Sequence, residues 1–217
     1  MLDGSSSLGE KGWKAQMVAA QNFLTAFRNN LSVKISVILF AGPRTWAGVS
    51  KCNGDSIAKI DVSKCGINIV THFTLDLKKV KGLLSGLNFP KGGSLISLAL
   101  STAKDELSLG RKEAKSVVVV FTNARPLSLR KTEVAAKDLR KSARLIWVPI
   151  TRLAPLAFIR KMATRRWQEN VVLAPTYQRL EKAATMTQLI ANMCPAPRTH
   201  KANLVAHGAR LEKKMQR

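Results

Sequence analysis

The sequence predicts a three-layer α/β domain, with a central, mostly parallel sheet flanked by helices. Three observations predict it. Apolar runs of strand length (VKISVILF, INIVTHF, SVVVVF, RLIWVPI) alternate with amphipathic stretches of helical period. The end of VKISVILF is nearly continuously apolar, which marks a strand buried on both faces. The chain has 217 residues, 46% of them hydrophobic, which suits one domain with room for a tail. Strands separated by helices form βαβ units, and these assemble into parallel sheets.

The elements follow in order. Residues 10–28 carry Trp13, Met17, Ala20, Phe23, Leu24 and Phe27 at helical spacing. Residues 33–40 form a strand. Residues 41–66, rich in Gly, Lys and Asp, read as a long loop. A strand at 67–73 and a short helix at 76–84 follow, the helix with Leu77, Val80, Leu83 and Leu84 on one side. Gly92 and Gly93 precede a helix at 94–107, capped by Ser94 or a neighbour because a side-chain oxygen can accept from a free N–H of the first turn. SVVVVF, at 116–121, is the strongest strand signal.

A basic amphipathic helix is expected at 132–143 and a strand at 144–150, where Pro149 marks its end or an edge position. A helix at 155–164, a short strand at 171–173 and a final helix at 177–193 complete the pattern. After Cys194 the composition turns Pro-, Lys- and Arg-rich. The domain is therefore expected to span 1–194, with 195–217 a basic tail or the start of a linker. No internal repeat is present. No apolar run approaches the ~18 residues that span a bilayer, so no transmembrane segment is expected in this chain. The polar stretch 3–11 follows Met1 and Leu2 directly, so no secretory signal is visible.

The charge balance is extreme, with 36 Lys and Arg against 13 Asp and Glu and a net charge of +23. Such a field favours polyanions: nucleic acid, anionic headgroups, sulfated glycans or acidic proteins. It does not choose among them, and a plainly solvated basic surface accounts for it equally well. The cations cluster at Arg130 and Lys131, at Arg140 and Lys141, and at Arg165 and Arg166. Cys52 and Cys65 bracket the polar run CNGDSIAKIDVSKC. A bridge across such a loop is worth roughly 3 kcal/mol and requires an oxidising compartment. The alternative is two unrelated reduced thiols. With no CxxC pair and no clustered His, a zinc site is not supported.

Asp3, Ser5 and Ser7 lie in the run DGSSS just ahead of a helix. A carboxylate and two hydroxyls on one tight turn offer the hard oxygen ligands that Mg²⁺ and Mn²⁺ prefer. Ser and Asp are also the commonest N-caps, so this turn alone is a weak signal. Its context is stronger. DGSSS is followed by a long helix, then VKISVILF, THFTLD, KGGSLISLAL and VVVVFTNA.

That succession, over roughly residues 2–194, resembles the von Willebrand factor type A family. The resemblance implies a Rossmann-like fold, with a site at the C-terminal ends of the strands where the strand order reverses. It also implies a metal-ion-dependent adhesion site holding Mg²⁺ or Mn²⁺, whose open position accepts a carboxylate from a partner protein. Carried over by position, the site falls on Asp3, Ser5, Ser7, Ser94 and Asn123. Ser94 stands where the family has Thr and keeps the hydroxyl. Asn123 stands where the family has Asp and loses the charge. One carboxylate in place of two points to a cation site weakened or lost, since hard cations depend on ligand charge; the alternative is a working Mg²⁺ site in which the Asn123 carbonyl bonds a metal-bound water.

The first strand departs too. A central strand needs about five residues, and only Met1 and Leu2 precede Asp3. Either that strand is a stub or the chain is a fragment of a longer one, and the fragment is the favoured reading. Trp46, beside Pro43 and Arg44, offers an anchor for a ligand if exposed; packing over the disulfide is the commoner fate.

Other activities have little support. There is no G-x-S-x-G elbow and no phosphate-binding G-x-x-x-x-G-K-[ST] loop. His72 sits in a strand, and no nucleophile–base pair can be named, so an enzyme is not expected. Aromatics make up 6% of the chain, with one Tyr, which supplies few stacking platforms for single strands. Nucleic acid is therefore not favoured. The expectation is a protein or extracellular-matrix ligand, acidic in character, met outside the cell or in the secretory route. The alternative is cation-independent binding of polyanions on the basic surface. Cys194, left odd, would pair outside this domain.

Overall fold

The structure, a computed structural model, describes residues 1–27, 32–53 and 60–193. Cys194 and the basic segment 195–217 lie outside these. Strand β1 (Leu2–Asp3) pairs in parallel with β2 (Ile35–Phe40), and β2 pairs antiparallel with β3 (Ile67–Thr74). Strand β4 (Val117–Thr122) pairs in parallel with β5 (Arg144–Pro149) along its whole length. Met1 joins the two halves. Its nitrogen donates to Val119 O at 2.8 Å, and Phe121 N donates to Met1 O at 3.1 Å, the pattern of a parallel ladder. The order across the sheet is therefore β3-β2-β1-β4-β5, with one antiparallel edge. Two isolated parallel bridges, Trp147 with Val171 and Ile150 with Ala174, extend it past β5 in place of the short strand expected at 171–173.

Helices cover both faces. On one side α4 (Ile96–Leu107), α5 (Leu129–Leu139) and α6 (Leu156–Met162) close over Ile38, Phe40, Val118, Val120, Leu145 and Trp147. On the other, α1 (Gly9–Ala26), α3 (Leu77–Ser85), α8 (Tyr177–Glu181) and α9 (Ala183–Met193) close over Leu2, Val37, Leu39, Phe121, Ile146 and Val148. Alternate residues of β4 and β5 thus serve opposite cores. That is why these strands are apolar throughout rather than every second residue.

Several expectations need correction. Residues 41–66 are not a bare loop: α2 (Trp46–Cys52) lies within them, its first turn capped by the Thr45 hydroxyl, which accepts from Gly48 N at 3.2 Å. The helix foreseen at 94–107 starts at Ile96, and Ser94 caps nothing there, since it is Leu95 that holds the position before the first turn. The fifth long helix starts earlier than its periodicity suggests, because Ser128 caps it. A short α7 (Trp167–Asn170) went unforeseen. The final helix is two, α8 and α9, broken at Lys182, which is extended at ψ 132°. The cysteine pairing is met: Cys52 and Cys65 are bridged, their Cα atoms 5.6 Å apart.

Candidate cation site at the top of the sheet

Strands β1, β2, β4 and β5 are parallel, so all four end at one edge, and their following loops crowd together there. Asp3, the last residue of β1, is fully buried. Its carboxylate accepts from Ser5 N at 2.7 Å and from the Thr122 hydroxyl at 2.5 Å. The Ser5 and Ser7 hydroxyls lie 3.0 Å apart. Ser7 Oγ donates to Asn123 Oδ1 at 3.0 Å, and Asn123 Nδ2 donates back to the Ser7 carbonyl at 2.9 Å. Four of the five residues expected from the sequence, Asp3, Ser5, Ser7 and Asn123, therefore stand in one hydrogen-bonded cluster. Thr122 is a member the sequence reading missed. Its signal was only its place at the end of the best strand.

Ser94 arrives from the loop before α4. Gly92 bridges to Ser5, with Ser6 N donating to Gly92 O at 2.9 Å. Only glycine fits at 92, because a Cβ there would collide with the Gly42 carbonyl. Ser94 is buried, and among the described residues its hydroxyl has no hydrogen-bond partner. An unmatched buried hydroxyl is costly, so it marks a place for a further ligand. Lys91 and Thr151, in loops at the same edge, hold left-handed backbones at φ 54° and 63°, the kind of strain that gathers at ligand sites.

The chemistry is that of hard oxygens: one carboxylate, four hydroxyls (Ser5, Ser7, Ser94 and Thr122) and an amide carbonyl. This set fits a divalent cation of the Mg²⁺ or Mn²⁺ kind, with little charge to hold it. Among the described residues no cluster of three His, Cys, Asp or Glu offers a richer one. Burial raises the Asp3 pKa above 3.8, against the hydrogen bonds from Ser5 and Thr122 that favour the ionised form. A raised folded pKa gives stability that is full below 3.8 and is lost as pH rises through the raised value. Stability should therefore fall over that window in the parent without cation. In Asp3→Asn this component should vanish, as read from urea midpoints at stepped pH; parallel curves for the two proteins would refute it.

The rim of this edge is apolar and basic. Trp46 is 84% exposed, so it does not pack over the disulfide, and Leu153 is 83% exposed. Arg44, Arg125 and Arg152 stand on the same set of loops. The predicted cation clusters are scattered. Arg130, Lys131 and Lys141 line a groove on α4 and α5 together with Lys137. Arg140 instead turns inward and donates to the Ala163 carbonyl at 2.8 Å. Arg165 and Arg166 lie beyond α6, away from that groove, with Arg166 3.8 Å from Glu169.

No protein-family profile and no curated protein matches the sequence. Solved structures do match its fold. Proximal thread matrix protein 1 from the mussel byssus gives a TM-score of 0.70 at 13% identity, over 89% of this chain and 46% of that one. The pilus adhesin SpaC from Lactobacillus rhamnosus GG gives 0.65 at 14% identity, over 88% and 30%. Manganese-loaded TRAP from Plasmodium vivax gives 0.63 at 15% identity, over 84% and 69%. The chain spans less than half of the first two proteins. The mussel protein is also known with a zinc-occupied MIDAS motif. At these identities the likeness establishes the fold, which is the three-layer, Rossmann-like von Willebrand factor type A fold with a shortened first strand.

Proposed function

We propose that this chain is a non-enzymatic recognition domain, which binds an acidic protein or matrix ligand at the top of its sheet with help from a weakly held divalent cation. Asp3, Ser5, Ser7 and Ser94 would hold the cation, and Asn123 would steady Ser7 and a bound water. The cation would supply a positive centre for a partner carboxylate. The observation that carries this reading is the buried Ser94 hydroxyl, unpartnered among the described residues, on the loop whose Gly92 pairs with Ser5 of an otherwise satisfied oxygen cluster. The exposed Trp46 and Leu153, set among arginines, supply the rest of an anchor for such a ligand. The pilus adhesin among the structural matches supports it by analogy of fold. The Cys52–Cys65 bridge favours the secretory route or the cell exterior.

The test is calorimetric titration of the full chain with Mn²⁺ and Mg²⁺. Saturable, chelator-reversible binding is expected, weaker than at sites with two carboxylates. Its absence at millimolar cation would overturn the reading. A second reading has its own observation, the groove where Arg130, Lys131, Lys137 and Lys141 converge. Polyanion binding there would persist in chelator and fall steeply with salt.

A further inference from the structure

Helices α4 and α5 pack side by side and leave a surface groove of about 840 Å³ between them. One wall is α5. Arg130, Val134 and Lys137 follow one another at steps of four and three residues, so they share one helix face, and all three are exposed. Arg130 and Lys137 lie about 10 Å apart along the helix axis, from its rise per residue. Lys141 continues the line just past the end of α5. The other wall is α4, where Ser97 and Ser101 stand one turn apart. Asp138 also lines the groove, and both Lys104 and Lys141 pair with it, Lys141 at 3.0 Å. Two cations on one carboxylate leave a positive balance, so the groove as a whole is cationic.

The uncharged groups narrow the ligand. Ser128 Oγ accepts from Lys131 N at 3.3 Å, which leaves its O–H to donate. Ser101 Oγ donates to the Ser97 carbonyl at 3.2 Å, which leaves its lone pairs to accept. Asn53 lines the groove as well, and its buried Oδ1 has no partner among the described residues. A buried acceptor without a donor, in a cationic groove, points to an anion that brings its own O–H or N–H. Val134 is 62% exposed in the middle of the cationic face, a seat for the C–H side of a sugar ring. Among the described residues no aromatic side chain lines this groove, so the bases of a nucleic acid would find no stacking platform. A DNA backbone also carries no donor for Asn53. The chain's own segment 195–217 is itself rich in Lys and Arg, so it would meet like charge there. Cys52, half of the disulfide, lines the groove too, and disulfides belong to the oxidising compartments in which sulfated glycans are displayed.

We propose that the groove between α4 and α5 binds a linear sulfated glycan, with its sulfates on Arg130, Lys137 and Lys141 and its hydroxyl or sulfamate N–H groups turned to Asn53 and Ser101. Arg130 and Lys137 are too far apart for one small anion to touch both, so affinity comes from charges repeated along the ligand. The proposal rests on the polyanion reading of this groove, which it makes specific, and it does not depend on the cation site.

The test is calorimetric titration of the full chain with a heparin hexasaccharide, in chelator and at stepped salt. Saturable binding is expected, unchanged by chelator and weakening as salt rises. Arg130→Ser combined with Lys137→Ser should weaken it about tenfold or more and lower the salt slope by about two, one for each lost contact. Lys11→Ser combined with Lys14→Ser removes the same charge from α1, on the opposite face of the sheet. That variant should bind within about twofold of the parent, because salt screens exposed charges beyond about 10 Å. Should the groove variant fail to fold, Val134→Glu, which sets a like charge against the sulfates, carries the same comparison. A hyaluronan hexasaccharide, which has carboxylates and no sulfate, and a six-nucleotide oligothymidylate should each bind about tenfold more weakly or worse, a difference of about 1.4 kcal/mol. Equal binding of the oligothymidylate would keep the polyanion reading and overturn the glycan. Equal binding of hyaluronan would overturn the role of sulfate and with it the proposal. Equal losses in the α1 and groove variants would put the glycan elsewhere and overturn it too. No binding of any of the three at millimolar concentration would overturn both the proposal and the polyanion reading.

Discussion

Asn123→Asp is expected to raise Mn²⁺ affinity by about 10–100-fold, the usual worth of a residue that orients ligands around a metal. In the parent, Asn123 both accepts from and donates to Ser7. The aspartate keeps the first bond and loses the second, leaving the Ser7 carbonyl facing a carboxylate. It also adds a second negative charge near Asp3, which burial already disfavours as an anion. In chelator the variant should therefore be less stable than the parent by about 1–3 kcal/mol, the cost of an unmatched buried polar group. Excess cation should reverse the order, because binding at about 100 times Kd returns about 2.7 kcal/mol. Thermal melts with Mn²⁺ and with chelator read both effects. A variant no more cation-sensitive than the parent would show that the cation is misplaced.

Breaking the Cys52–Cys65 bridge should cost about 3 kcal/mol, from the chain entropy regained by the unfolded state. Both cysteines are buried in the core shared by α4 and β2. The bridge ties the end of α2 to the entry of β3, and next to it Ala41 N donates to Gly66 O at 2.8 Å. The double Cys52→Ser, Cys65→Ser variant should show a correspondingly lower urea midpoint, and reductant should bring the parent to the same value. A loss under about 1 kcal/mol would mean that the loop is held by its packing, with the unfolded chain little constrained by the bridge.

Much of this was legible in the residues. Strands such as Val117–Thr122 and Arg144–Pro149 announced themselves by unbroken apolarity, because both faces of a central strand meet a core. Helices α1, α3 and α4 followed from apolar spacing, since one stripe must face the sheet. The DGSSS turn and the loop carrying Ser94 could be matched to one site because their order along the chain fits one topology. What the chain could not reveal locally were features created by distant partners. The break between α8 and α9 leaves no glycine or proline signal, only an extended Lys182. The exposure of Trp46 depends on how α2 sits on the loop above the sheet.

The sequence by itself determined the alternation of elements and supplied the DGSSS turn and the two loop cysteines, all of them set by residue type and near neighbours. The tertiary structure alone decided that Thr122 grips Asp3, and that the buried Ser94 hydroxyl and one Glu106 oxygen lack a partner among the described residues. Each of those rests on groups tens of residues apart, whose meeting is fixed by sheet register and helix packing rather than by local pattern.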